Sequence, residues 1–233
     1  MTLKSLSIAL STTALIALAL PAMAQDKTGT NVNVDAPASP AGGAATMGLA
    51  SELYALGVSS GDALTVLTAA RLAMSVDVTE GGEIKKTTTG DVPADDAEGA
   101  AEAPVDAAMM LAKAKELAGD DAVILGLIAD TEAESARGRI GGAVSWISRL
   151  PSGQSDVWEI PFYGNSYAEI AVVGDGDANL DVVVTDENGN VFCYDVSWSD
   201  QLYCDFTPAW DGYFYVTVEN VGNVRNSYYL LTN

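Results

Sequence analysis

The run Gly174-Asp175-Gly176-Asp177-Ala178-Asn179-Leu180-Asp181 places oxygen-bearing side chains at every second position. Calcium loops use that spacing because a curved backbone can aim alternate carboxylates at one hard cation. Asp186 even stands at the twelfth position counted from Asp175. Leu180, however, occupies the sixth position, where an EF-hand needs glycine, and a strand pattern follows instead of a helix. An EF-hand is excluded. The metal candidate is a calcium site drawing on Asp175, Asp177 and Asp181 with help from a neighbouring loop, and the alternative is an acidic, glycine-containing β-turn.

Other chemistry is narrowed by one absence: the 233 residues contain no histidine. Ser-His-Asp triads, Cys-His pairs and His-ligated zinc are therefore excluded. With 32 Asp and Glu against 11 Lys and Arg, chance carboxylate pairs are inevitable, and no motif singles out two of them for a carboxylate-based hydrolase. A Ser-Lys pair has no Ser-x-x-Lys motif to support it. Exposed aromatics give a second binding candidate. Trp198, with Tyr194 and Tyr203 nearby, could stack against sugar rings while polar neighbours stay wet. The alternative is that such aromatics form core or cross-strand pairs.

Cys193 and Cys204 are the only cysteines. If Val191–Val196 and Leu202–Phe206 form a hairpin around Ser197–Asp200, Cys193 falls opposite Cys204. Directly opposed antiparallel residues lie about 4.5–5.5 Å apart at Cα, within the about 4.4–6.8 Å that a disulfide accepts. A structural disulfide is expected, worth on the order of 2–3 kcal/mol. A catalytic thiol would have no histidine to activate it.

The elements that would hold these groups divide the chain. Of 4 Trp, 4 Phe and 9 Tyr, only Tyr54 precedes Trp146. Residues 47–141 are rich in Ala, Leu and Met, which favour helix, and the remainder is rich in aromatic and β-branched residues, which favour strands. Gly57 is expected to end a first helix and Ser60-Gly61-Asp62 to cap a second, whose Ala63, Leu67, Ala70 and Met74 share one face. Met110, Ala114, Leu117 and Ala118 stripe a third helix, ended by Gly119. Asp120 or Asp121 caps a fourth, with Val123, Ile124, Leu127 and Ile128 as its buried face, Arg137 in its last turn and Gly138 at its end. Between them, residues 77–103 read as a mobile acidic loop, and residues 25–46 as a disordered linker. From residue 142 onward, eight short strands alternate with turn signals, as in a β-sandwich or jelly roll. Asn188-Gly189 marks a type I′ hairpin turn. The expected fold class is α+β, a small helical region followed by an all-β sandwich.

Lys4, the apolar run from Ile8 to Leu20 and the small residues of Pro21-Ala22-Met23-Ala24 match a cleaved bacterial secretory signal peptide, residues 1–24. The apolar run is shorter than the ~18 residues of a membrane span. A formal net charge of −21 disfavours nucleic acid and anionic lipid as partners. A periplasmic or secreted protein without a membrane span is expected.

Several runs then resemble one family. Pro161-Phe162-Tyr163-Gly164, the Gly174–Asp177 turn with Leu180-Asp181, and Thr185-Asp186-Glu187-Asn188-Gly189-Asn190 look like bacterial pre-peptidase C-terminal (PPC) domains. Phe206-Thr207-Pro208-Ala209-Trp210-Asp211-Gly212, Val218-Glu219-Asn220 and residues 228–233 resemble the closing strands of that family. The resemblance covers residues 155–233. It implies a jelly-roll-like, non-catalytic module of the kind appended to secreted hydrolases, some of which bind calcium or extracellular polymers. The helical part carries no histidine and no nucleophile motif, so the expectation is an accessory binding module for an extracytoplasmic protein or glycan. The alternatives are a dedicated carbohydrate or cell-envelope polymer binder and a carboxylate-based hydrolase.

Overall fold

A computed structural model describes residues 27–91, 103–134 and 142–233. The expected leader, Arg137 and Gly138 lie outside them. Among the described residues, four helices and ten strands build an α+β fold: two five-stranded sheets packed face to face, with helices laid over the outer face of one.

Alternation of side chains explains the sandwich. The strands β3 (Gly142–Leu150), β4 (Ser155–Phe162), β5 (Ala168–Gly174), β6 (Leu180–Asp186), β7 (Val191–Asp195), β8 (Gln201–Phe206), β9 (Gly212–Asn220) and β10 (Asn226–Thr232) fall where the turn signals separate them. Along β6, Leu180, Val182 and Val184 point inward, and along β9 Phe214, Val216 and Val218 do the same. These rows meet Ile170, Val172, Leu202, Phe206 and Leu230 of the other sheet. β5 and β10 are buried on both faces, because the helices cover their second side.

The helices are α1 (Gly43–Ser60), α2 (Ala63–Ser75), α3 (Ala107–Ala118) and α4 (Ala122–Glu134). Their caps follow the sequence. The Asp62 carboxylate accepts from the amides of Leu64 and Thr65, Asp106 from Met109, and Asp121 from Val123 and Ile124. Two details differ from expectation. Gly57 lies inside α1, where the absence of a side chain admits Val66 of α2, and Gly61, at φ +66°, closes the helix instead. Val123 is exposed, so the buried face of α4 centres on Ile128.

Residues 77–91 of the stretch expected as a mobile acidic loop carry two strands, and residues 92–102 lie outside the described residues. β1 (Asp77–Glu80) pairs parallel to β3, and β2 (Lys85–Thr89) pairs antiparallel to β4. The sheets run β1-β3-β10-β5-β8 and β2-β4-β9-β6-β7, so one short segment supplies an edge strand to each. The linker reading also changes over residues 27–42. Asn31 is fully buried; its amide donates to Asp186 (2.7 Å), and its side chain bonds both Trp210 main-chain groups. Hydrogen bonds hold this segment in place, and Val32 packs against the inter-sheet core.

Candidate functional site

The cysteines pair as expected, but across the sandwich. β7 closes one sheet and β8 the other, so Cys193–Cys204 joins two edge strands that do not share a ladder. Their Cα atoms are 6.3 Å apart, beyond the spacing of directly opposed hairpin residues and within disulfide reach. The Val196–Asp200 connection is therefore an arch between sheets and not a hairpin turn. The Asn188-Gly189 turn differs too. Only Gly189 has positive φ (+81°), and the Asp186–Asn190 backbone bond encloses a three-residue loop with a bulge glycine.

Three connections gather at one end of the sandwich: residues 175–179, 196–200 and 221–225. They are woven together by hydrogen bonds. The Ser199 amide donates to Asn179 Oδ1 (2.7 Å), Leu180 N to Ser199 O (3.0 Å), and Gly174 N to Asp200 O (2.9 Å). Asp200 Oδ2 accepts from Gly176 N, and Gly174 has no room for a Cβ against the Asp200 side chain. On this framework Trp198 is 97% exposed. It borders a shallow depression of about 450 Å3 with Asp177, Asn179 and Asn223.

Tyr194 and Tyr203 border a different groove, beside Leu49 and Glu52 of α1, and share only Ser199 with the Trp198 depression. The three aromatics are therefore divided between two surfaces. Tyr203 also has a structural tie: its hydroxyl donates to Glu169 (3.0 Å). Burial first, then Tyr167 and the Glu169 charge, push its phenol far above the ordinary range.

The calcium candidates are not drawn into one ligand set. Asp175 accepts from the amides of Ser227 (2.7 Å) and Asp177 (2.9 Å), whereas Asp181 sits on β6 and accepts from Asn179 Nδ2. Burial raises the Asp175 carboxyl above its usual range, against those two amide bonds. Among the described residues, no group of three or more Asp, Glu, Cys or His side chains is disposed to hold a metal.

The buried acids were not legible as a set, and each is committed to the fold. Asp156, fully buried between the sheets, accepts from Tyr228 Oη (2.7 Å), Ser148 Oγ (2.5 Å), Thr88 Oγ1 (2.5 Å) and Lys86 Nζ (3.3 Å). Lys86 also donates to Ser148 Oγ at 2.7 Å, a Ser-Lys contact without any sequence motif. Ser148 is only 3% exposed and donates its proton to a buried carboxylate, so the pair ties β2 to the sandwich. Burial first, then the Asp156 charge, raise the Tyr228 phenol well above its usual range. Glu169, also fully buried, accepts from Gly42 N and Ala44 N and so caps α1 from β5.

No protein family model matches the chain, and no curated protein sequence matches it. Among solved structures it is similar to the pre-peptidase C-terminal domain of collagenase from Bacillus anthracis. That likeness has 18% identity and a TM-score of 0.33, over 38% of this chain and 87% of that one. It is a weak likeness at the level of the fold. Among the described residues, no helix is long and apolar enough to cross a membrane.

Proposed function

We propose that the chain is a non-catalytic binding module of the periplasm or extracellular space, meeting an extracytoplasmic protein or glycan at the loop end that carries Trp198. The observation behind this reading is the 97% exposed indole on a cross-bonded loop framework. A large apolar ring held in water by a loop already ordered is suited to binding, because little further ordering is required when a partner arrives. The compartment in this reading is supported by the leader-like run in residues 1–24 and by a disulfide, a bond that persists in oxidising surroundings.

A hydrolase reading has less support. Asp156, Glu169 and Asp186 each accept several hydrogen bonds from the fold, which leaves them engaged in holding elements together.

Retention on a panel of insoluble cell-envelope glycans tests the glycan form of the proposal. Trp198→Ala should lose most of the retention of the parent chain while keeping its melting temperature, because the ring packs on almost nothing. Equal retention of both proteins, or none by the parent on any glycan, would overturn it.

A further inference from the structure

A groove of about 700 Å3 lies between the β7/β8 edge and the flank of α1, within the roughly 300–1,000 Å3 of small-molecule sites. Both walls follow from the sequence. Ala45, Gly48, Glu52 and Ala55 recur at spacings of three and four, so one face of α1 turns small residues and a carboxylate to the groove. Along β8, Leu202, Cys204 and Phe206 are buried in the sandwich, and the alternate residues Gln201 and Tyr203 stand on the outer face beside α1.

Gly48 is the unusual member of the helical wall. Glycine is a poorer helix former than alanine, and a Cβ at this position would meet nothing within 4 Å. Gly57 of the same helix makes room for Val66, whereas no neighbour takes up the space at Gly48. That space opens on the groove.

The aromatic surface is accessible and held in place. Tyr194 is 65% exposed and Tyr203 39%. The Tyr203 hydroxyl is tied to Glu169 (3.0 Å) and to Tyr167 (3.2 Å), which fixes a ring that still borders the groove. The unused polar groups are acceptors. The Glu52 carboxylate is exposed and bonds to no described residue. Gln201 Nε2 donates to Ser51 Oγ (3.1 Å), but its buried Oε1 has no hydrogen-bond partner. No lysine or arginine lines the groove.

We propose that this groove binds a neutral sugar chain, at a site separate from the Trp198 end. Apolar ring faces stack on Tyr194 and Tyr203, and hydroxyls donate to Glu52 and Gln201. A hydroxyl rotates to donate, whereas a peptide would bring a carbonyl with every amide and set it against those acceptors. A uronic acid chain would meet Glu52, Asp195 and the field of a chain with formal net charge −21.

Cellohexaose and mannohexaose are the neutral probes and hexagalacturonate the acidic one, each titrated by calorimetry into the full Trp198→Ala chain, in which the loop end is silent. At least one neutral probe should bind saturably, with hexagalacturonate at least about fivefold weaker. Gly48→Phe, which fills the groove from a position with no neighbour to displace, should abolish binding and keep the parent's melting temperature. Tyr194→Ala should weaken binding about threefold or more, and Glu52→Ala by a similar factor. No saturable binding of either neutral probe, equal binding of the acidic probe, or full binding by a folded Gly48→Phe chain would overturn the proposal. If Gly48→Phe lost the melting transition, Tyr194→Ala, a change at an exposed ring, would decide: unchanged affinity overturns the proposal. On an insoluble glycan the two sites act together, so that loss of either lowers retention. Hexasaccharide titration reads the groove by itself, so its failure leaves the Trp198 reading standing, and the reverse.

Discussion

The two open edges of the sandwich solve the same problem by different chemistry. Two stacked sheets expose unpaired strands at both sides, an invitation to pair with other chains. At the β7/β8 edge, a covalent bond between Cys193 and Cys204 joins the sheets. At the β1/β2 edge, one chain segment contributes a strand to each sheet and is anchored by Trp146, Lys86, Thr88 and the buried Asp156. The first device needs two residues and an oxidising compartment. The second needs many groups to be satisfied together.

Each edge can be opened separately. The largest effect is expected at Asp156. Replacing it by Ala leaves Tyr228, Ser148, Thr88 and Lys86 without their shared acceptor, at a cost of about 3–5 kcal/mol, as when one partner of a buried ion pair is removed. Urea denaturation should show this loss, and amide exchange should rise in residues 77–89 before it rises in residues 191–206. The double substitution Cys193→Ser, Cys204→Ser should cost less, about 2–3 kcal/mol for so short a loop, with the order of exchange reversed. If both variants loosened both edges equally, the edges would not be separate devices.

A smaller effect sharpens the picture near the β6–β7 turn. Burial pulls the Asp186 carboxyl upward, but hydrogen bonds from Asn190, Asn31 and Asn188 outweigh it and hold the group below its ordinary range. A depressed acid stabilises the fold above its unfolded pKa of about 3.9 and loses that contribution as pH falls through the lower folded value. Stability measured by denaturant between pH 6 and pH 2 should therefore fall on the acid side, and Asp186→Asn should be less stable at pH 6 with a shallower acid limb. An unchanged limb would remove Asp186 as the tie between the turn and residues 27–35.

Legibility differed along the same lines. Strands β3 to β10 announced themselves because apolar alternation and turn glycines coincide there. The disulfide partners were readable, yet the short connection between them suits an arch as well as a hairpin, and only the sheet order distinguishes the two. β1 and β2 were hidden because every residue in them is exposed. The remaining signal was the run Lys85-Lys86-Thr87-Thr88-Thr89, β-branched threonines with the lysines that protect an edge strand. Asn31 left no trace in a pattern-based reading, since one buried amide has no period. Closeness in sequence grouped three aromatics that the fold separates: Trp198 stands on the arch, while Tyr194 and Tyr203 face α1.

Residues 77–89 belong to the sandwich and close one of its edges. Hydrogen–deuterium exchange of the intact, oxidised protein measures this directly. Peptides covering residues 77–80 and 85–89 should be protected well beyond the rate of a solvated chain, with opening free energies that follow those of their partners β3 and β4. Exchange of both peptides at the rate of an unstructured segment, with β3 and β4 still protected, would contradict it.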